Sequence, residues 1–266
     1  MAAAAYSTWP EKCVNNVFVD ANVTKSVASK CVVDLGDYKL CYGFTGVAHE
    51  DKVVFLAYRG TAGFFQLITE TYQTAFQPMV EAKIGGNVSE YFYGVYENLQ
   101  TAGLNEEVLA LANQYPDYRI WITGHSLGGA LASISAAELV KIQNISSDRI
   151  LIITFGEPRT GDSEYANNYD ALVPNTYRVV NQRDIVPHLP PLRLFDYIHH
   201  SQEVWYEYGM ANISEYKTCP AESCDCSNQY GDLYSVADHL TYYMEFIVGY
   251  GWSGCGAIAA SIKQLL

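Results

Sequence analysis

The chain is poor in basic side chains: 16 lysines and arginines stand against 29 aspartates and glutamates, for a formal net charge of −13 over 266 residues. Nucleic-acid binding needs cationic side chains to replace phosphate counterions, so this balance argues against that class of partner. Long apolar runs are missing too. No stretch reaches the roughly 18 residues that a helical membrane span requires, and no transmembrane segment is expected. Repeats, low-complexity tracts and linker-like stretches do not stand out. The N-terminus, Met1 to Ala5, has neither a basic region nor an adequate apolar stretch and does not read as an intact signal peptide. Residues 1–12 are read as an N-terminal extension, tag-derived or a mature end behind an added start. No structural role is expected of Met1 to Ala5.

What is present is enough hydrophobic residue, 49% of the chain, to bury a sizeable core. There are seven cysteines: Cys13, Cys31, Cys41, Cys219, Cys224, Cys226 and Cys255. Zinc sites usually place paired cysteines two to four residues apart at both ends of a loop. Only the 219–224–226 cluster is that dense, so disulfides are the better reading. Four N-glycosylation sequons begin at Asn22, Asn87, Asn144 and Asn212, none with proline in the middle position. Clustered cysteines and four sequons together favour a secreted, extracellular protein. Seven is odd, so at least one thiol is free or bridged to another molecule.

Beyond Cys31 strand and helix patterns alternate. Val53 to Tyr58 is a continuous apolar run ending at Arg59-Gly60, as a buried strand would. Leu99 to Ala112 repeats apolar residues at helical spacing, with Leu104, Val108, Leu111 and Ala112 on one side, and Pro116 stops it. Arg119 to Thr123, Ile150 to Phe155 and Thr176 to Val180 read as further strands, and Glu203 to Tyr208 as a more exposed one. Leu127 to Ile142 reads as a helix rich in leucine and small residues. Strands separated by helices indicate a mostly parallel sheet covered on both faces, in one α/β domain over 1–266.

The strongest chemical signal is Gly124-His125-Ser126-Leu127-Gly128, followed by Gly129. It matches the G-x-S-x-G nucleophile elbow. The serine of such an elbow sits on a sharp strand-to-helix turn, where a Cβ on either flanking residue would collide with backbone. Three fixed positions recur by chance; the context is more telling. An apolar strand runs into the pentapeptide and a small-residue helix follows it. That helix N-terminus aims N–H groups and a dipole at the oxyanion formed on ester attack. The plainer alternative is a glycine-rich turn with an incidental serine.

A serine nucleophile needs a base. Six histidines are available. The side chain of His125 should point away from Ser126, and His49 precedes the first strand, out of the order Ser–Asp–His. Of His188, His199, His200 and His239, His239 lies in a short segment ahead of an apolar C-terminal helix, a placement that suits a base delivered by a late loop. The plainer fate of the others is a packed structural histidine. The orienting carboxylate should follow a strand between serine and base, as Asp184 does. Asp238 competes, but sequence neighbours rarely face each other well. Asp162, Asp170 and Asp196 read as loop or helix-start acids.

Here the sequence resembles the class 3, fungal-type triacylglycerol lipases of the α/β-hydrolase superfamily. The matching segments are Ala57 to Thr61, Thr123 to Gly129, Phe155 to Gly161, Asn181 to Pro191 and Asp238 to Tyr242, covering Val53 to Tyr243 in the family's order and spacing. The resemblance implies an α/β-hydrolase fold with helices on both faces of the sheet and a short helical lid. It implies Ser126 as nucleophile, Asp184 as acid, His239 as base, and an oxyanion hole from Thr61 and the N–H of Leu127. It suggests that Cys13 pairs with Cys255, Cys31 with Cys41 and Cys219 with Cys226, leaving Cys224 as the odd thiol. Phe64, Ile68, Tyr72 and Phe76 repeat every four residues, an amphipathic stripe beside the presumed site, with Phe65 among its apolar residues. In this family the corresponding segment is a lid; the alternative is a surface helix packed permanently on the core. The segment lacks tryptophan, and Tyr91, Phe92, Tyr93 and Tyr96 make the following region unusually aromatic, so acyl-chain preference does not carry over.

The sequence is therefore read as a secreted serine ester hydrolase, a triacylglycerol lipase in its first reading, acting as a monomer without metal or organic cofactor. Its substrate is a lipid or other ester, presented at a lipid–water interface. Phospholipase A1 and feruloyl-type esterases share the core and are the nearest alternatives. A rival of another class is a catalytically silent lipid-binding or interaction protein, against which an intact serine, acid and base argue.

Overall fold

The computed structural model describes residues 1–30, 40–60, 76–231 and 233–256. The order of elements begins with α1 (Pro10–Val17), β1 (Ala21–Lys30), β2 (Leu40–Ala48), β3 (Val53–Tyr58), β4 (Met79–Glu81) and β5 (Asn87–Ser89). Helices α2 (Glu90–Thr101) and α3 (Leu104–Gln114) lead to β6 (Arg119–His125), α4 (Leu127–Lys141), β7 (Ile150–Phe155), β8 (Gly161–Asp162) and α5 (Ser163–Leu172). The chain continues through β9 (Thr176–Asn181), β10 (Tyr197–Ile198), β11 (Gln202–Tyr206) and β12 (Lys217–Cys219). It then forms α6 (Val236–Leu240), β13 (Thr241–Tyr242), β14 (Glu245–Phe246) and α7 (Ile247–Trp252).

Eight strands form the main sheet in the order β1-β2-β3-β6-β7-β9-β11-β12. From β3 to β11 neighbouring strands are parallel, while β1, β2 and β12 run antiparallel to the strand beside them. The mostly parallel sheet expected of an α/β-hydrolase is thus present. A smaller sheet, β10-β8-β5-β4, lies apart from it.

Strand β3 shows why the sheet is covered on both faces, since all six of its residues are buried. Side chains alternate across a strand. Val54, Leu56 and Tyr58 join one core cluster with Ile120, Ile122, Ala130, Leu131 and Leu104. Val53, Phe55 and Ala57 join another with Phe44, Cys13, Val14, Ala4 and Ala5. The N-terminal residues thus do have a structural role: Ala2, Ala4, Ala5 and Tyr6 are buried. Their small side chains let the segment lie close against the sheet, a fit that composition alone does not reveal.

Helix α4 is buried almost all round, from Leu127 to Leu139, which is why its sequence shows no polar face. The helical pattern of 99–112 divides into two helices. Gly103 takes φ +83° and breaks the run before Leu104, yet the expected face of Leu104, Val108, Leu111 and Ala112 is the buried one. Ser89 caps α2 through its side chain and Asp162 caps α5. Cys13 is bonded to Cys255, tying α1 to the segment after α7, and Cys219 to Cys226. Cys224 is exposed and unpaired. Cys31 lies outside the described residues. Among those described, no helix is long and apolar enough to cross a membrane.

Candidate active site

The parallel register brings the C-terminal ends of β3, β6, β7 and β9 to one edge: Tyr58 pairs with Gly124, His125 with Phe155, and Phe155 with Val179. Ligands of open α/β sheets bind outside this edge. Ser126 stands there, between the last residue of β6 and the first of α4, with φ +60° and ψ −131°. A non-glycine residue in that region is strained and persists only where its surroundings hold it. They do so here. A Cβ on Gly124 would fall 2.0 Å from Gly128 O, and one on Gly128 would fall 2.3 Å from Tyr58 O. The Ser126 N–H donates to Phe155 O, and its carbonyl accepts from Gly129 N. Ser126 Oγ is buried and has no hydrogen-bond partner among the described residues. Catalytic hydrogen bonds often tighten only with substrate in place.

Asp184 and His239 meet because the segments that carry them pair as backbone. Asp184 bridges to Ser235, the Ser235 N–H donates to Arg183 O at 2.7 Å, and the Ile185 N–H donates to Ser235 O. Asn181, at the end of β9, donates from Nδ2 to Thr241 O and Asp238 O and so braces α6 against the sheet. His239 Nδ1 lies 2.9 Å from both Asp184 carboxylate oxygens. The carboxylate also accepts from Tyr242 Oη at 2.5 Å and from the Val186 N–H at 2.9 Å. Burial works against an ionised Asp184, but the His239 charge and these donors outweigh it, and its carboxyl is held below the ordinary range. An ionised carboxylate only accepts, so Nδ1 of His239 carries the proton and Nε2 is left as the basic nitrogen.

The competing residues are occupied elsewhere. Asp238 accepts from the Arg183 N–H. His188 bonds Asn228 and stacks on Tyr234. His199 bonds Pro187 O, His200 bonds Glu157, and His49 bonds Tyr118. Asp170 accepts from Ser201, and Asp196 from Ser163.

The sequence profile described as lipase (class 3) matches residues 55–194. A Caenorhabditis elegans protein, lipase ZK262.3, is 30% identical over 285 aligned positions, covering 96% of this chain and 80% of its own length. The chain belongs to the class 3 lipase family. Membership makes it a carboxylic ester hydrolase of the α/β-hydrolase superfamily. The Rhizomucor miehei lipase is 35% identical over 73% of this chain and 52% of its own length, so the chain spans about half of that relative. The solved lipase of Rhizopus microsporus var. chinensis superposes with a TM-score of 0.80 at 30% identity, covering 92% of this chain and 84% of the other. A solved triacylglycerol lipase, 29% identical with a TM-score of 0.76 over 91% of this chain and 90% of its own, has a serine-protease triad as its catalytic centre.

In this class 3 lipase the loop after β7 supports the elbow from below. Glu157 is buried and accepts from Thr154 Oγ1 at 2.6 Å, Thr160 Oγ1 at 3.2 Å and His200 at 3.0 Å. Arg159, also buried, forms a two-bond pair with Glu222 at 2.7 Å and donates to Pro190 O. Tyr242, Asn181 and Glu157 were not singled out by sequence reasoning. Each lies inside or beside a motif segment, which was their only signal. Thr61, Phe64, Phe65, Ile68 and Tyr72 lie outside the described residues. Phe76, the last of the apolar stripe, is fully buried and packs edge-on to Phe92 and Tyr197. Leu127 is the first residue of α4.

Proposed function

We propose that this chain hydrolyses the carboxylic esters of acylglycerols through an acyl-enzyme on Ser126. The observation that carries the reading is the Asp184–His239 contact of 2.9 Å, taken with a serine held at φ +60° in the elbow after β6. His239 Nε2 takes the Ser126 proton as Oγ attacks the ester carbonyl. The negative charge that moves to the carbonyl oxygen is met by the Leu127 N–H at the start of α4 and by Thr61. Collapse breaks the bond to the alcohol, which leaves with the proton from His239. Water then attacks the acyl-enzyme, again giving its proton to His239, and the fatty acid departs with Ser126 restored. Asp184 holds the tautomer and stabilises the imidazolium throughout. The triad of the solved triacylglycerol lipase supports these roles.

Secretion belongs to the same reading. The disulfides Cys13–Cys255 and Cys219–Cys226 among the described residues suit an oxidising compartment. Asn22, Asn87, Asn144 and Asn212 are all exposed, as glycan acceptors must be.

A panel of triglyceride, phospholipid and feruloyl ester substrates, run on wild type and Ser126→Ala, tests the proposal. Glyceride turnover lost in the variant is expected. Preferred turnover of phospholipid or feruloyl ester would move the substrate class, and equal rates in both proteins would sink the catalytic assignment.

A further inference from the structure

Three residues distant in sequence form a chain of contacts that ends on His239. The Tyr6 hydroxyl lies 2.7 Å from His125 Nδ1, and His125 Nε2 lies 2.8 Å from the backbone carbonyl of His239. A carbonyl oxygen only accepts, so Nε2 carries the ring proton of His125. Nδ1 is then the lone-pair nitrogen, and the Tyr6 hydroxyl donates to it. The His125 ring also stacks on the His239 imidazole, with centroids 4.4 Å apart and planes inclined by 26°. Tyr242 meets the same ring edge-on at 5.6 Å. Burial first, and the charge of His239 second, lower the His125 pKa to about 3. The ring is therefore neutral at neutral pH.

We propose that His125 is a positioning residue for His239, fixing its main-chain carbonyl and the plane of its ring, and that Tyr6 sets the tautomer this requires. The inference rests on His239 being the base. His239 sits in a helix of five residues, too short to hold its own geometry. Asp184 grips the imidazole only at Nδ1, which leaves the ring free to swing about that contact. The stacked His125 ring blocks the swing, and its Nε2–H pins the backbone from which the side chain hangs. Neutrality matters as well. When Nε2 of His239 takes the serine proton, the new positive charge faces a polarisable neutral ring rather than a second cation.

Phenylalanine at position 125 keeps a flat ring for stacking and removes both hydrogen bonds; Tyr6→Phe removes only the outer one. The readouts are kcat and KM on p-nitrophenyl butyrate, the thermal midpoint, and the low-field proton resonance of His239 Nδ1–H. In His125→Phe kcat should fall about 10- to 100-fold, the size of loss a small misplacement of a catalytic group causes. KM should stay within about twofold, because substrate binding is untouched. The low-field resonance should broaden or vanish. Tyr6→Phe should move kcat the same way by less, and the double variant should be no worse than His125→Phe, since both act along one path.

Unchanged kcat and an unchanged resonance in both folded variants would overturn the inference, as would a rise in KM alone. If His125→Phe does not fold, Tyr6→Phe carries the test, and full kcat there overturns it. Ser126→Ala runs alongside. Turnover surviving that change would bring down the nucleophile assignment and this inference together, whereas its loss beside full kcat in the ring variants would bring down this inference alone.

Discussion

The hydroxyl of Tyr242 donates a 2.5 Å hydrogen bond to Asp184 Oδ2, the carboxylate that also receives Nδ1–H of His239. Tyr242 follows His239 by three residues, so the strand after the proposed base returns a donor to Asp184. Both groups are buried, where a hydrogen bond to a charged group contributes about 1.5–3 kcal/mol. Tyr242→Phe should therefore lower kcat about tenfold on a soluble ester while leaving KM unchanged. Asp184→Asn, which forces the wrong tautomer on His239, should cost about 10⁴-fold. Steady-state kinetics of the two variants side by side checks the order.

At the elbow the prediction is steric. A Cβ on Gly128 would land 2.3 Å from Tyr58 O and 2.9 Å from Tyr58 C, and backbone at the end of a buried strand has nowhere to go. Gly128→Ala should destabilise the protein by about 1–3 kcal/mol. The variant that folds should still lose kcat about 100-fold through displacement of Ser126. Thermal melts and single-substrate kinetics measure the two effects separately.

Stability should fall in two stages on acidification. Burial, with nearby positive charge second, lowers the pKa of both His125 and His188 from 6.5 to about 3. Below pH 6.5 the unfolded chain takes up protons at these rings that the folded chain refuses, so stability drops as pH falls from there towards 3. The carboxylates Asp184, Glu157 and Glu222 are held below their ordinary values despite the opposing effect of burial. Their contribution is present above the unfolded values of 3.8 and 4.5 and is lost as pH falls through the folded ones. Urea midpoints from pH 8 to pH 3 should decline from about pH 6.5, and more steeply below about 4.5. A flat profile down to pH 4.5 would contradict the histidine stage.

The Arg159–Glu222 pair, at 2.7 Å with side chains 2% and 15% exposed, gives a further prediction. Removing one partner leaves the other charge nearly buried, at a cost of about 3–5 kcal/mol. Arg159→Met should lower the melting temperature sharply, and the double change Arg159→Met with Glu222→Gln should recover part of the loss. Calorimetry of the three proteins decides it.

The strands that carry the site were legible as continuous apolar runs, buried on both faces in β3 and chiefly on one in β7. The runs at Val53 and Ile150 match β3 and β7 to the residue. Glycine spacing, chain order and loop position singled out Ser126, Asp184 and His239 as candidates, and the structure brings Asp184 and His239 together. The break at Gly103 was not, because a lone glycine within an amphipathic pattern does not announce a left-handed turn. Nor was the role of the first six residues, which have no periodicity and whose value is a close fit of small side chains against the sheet. The contacts of His125 with Tyr6 and His239 span 119 and 114 residues, and no local pattern encodes pairings of that range. The same holds for Asp184 with Tyr242, 58 residues apart.

The most direct test of the central claim is covalent trapping of the nucleophile. The protein would be treated with an alkyl phosphonate ester that mimics the tetrahedral intermediate, digested, and mapped by mass spectrometry. One phosphonyl group per chain on the peptide containing Ser126, absent in Ser126→Ala and slowed by His239→Ala, is the predicted result. A label on another residue, or inhibition of ester turnover with no adduct at Ser126, would contradict it.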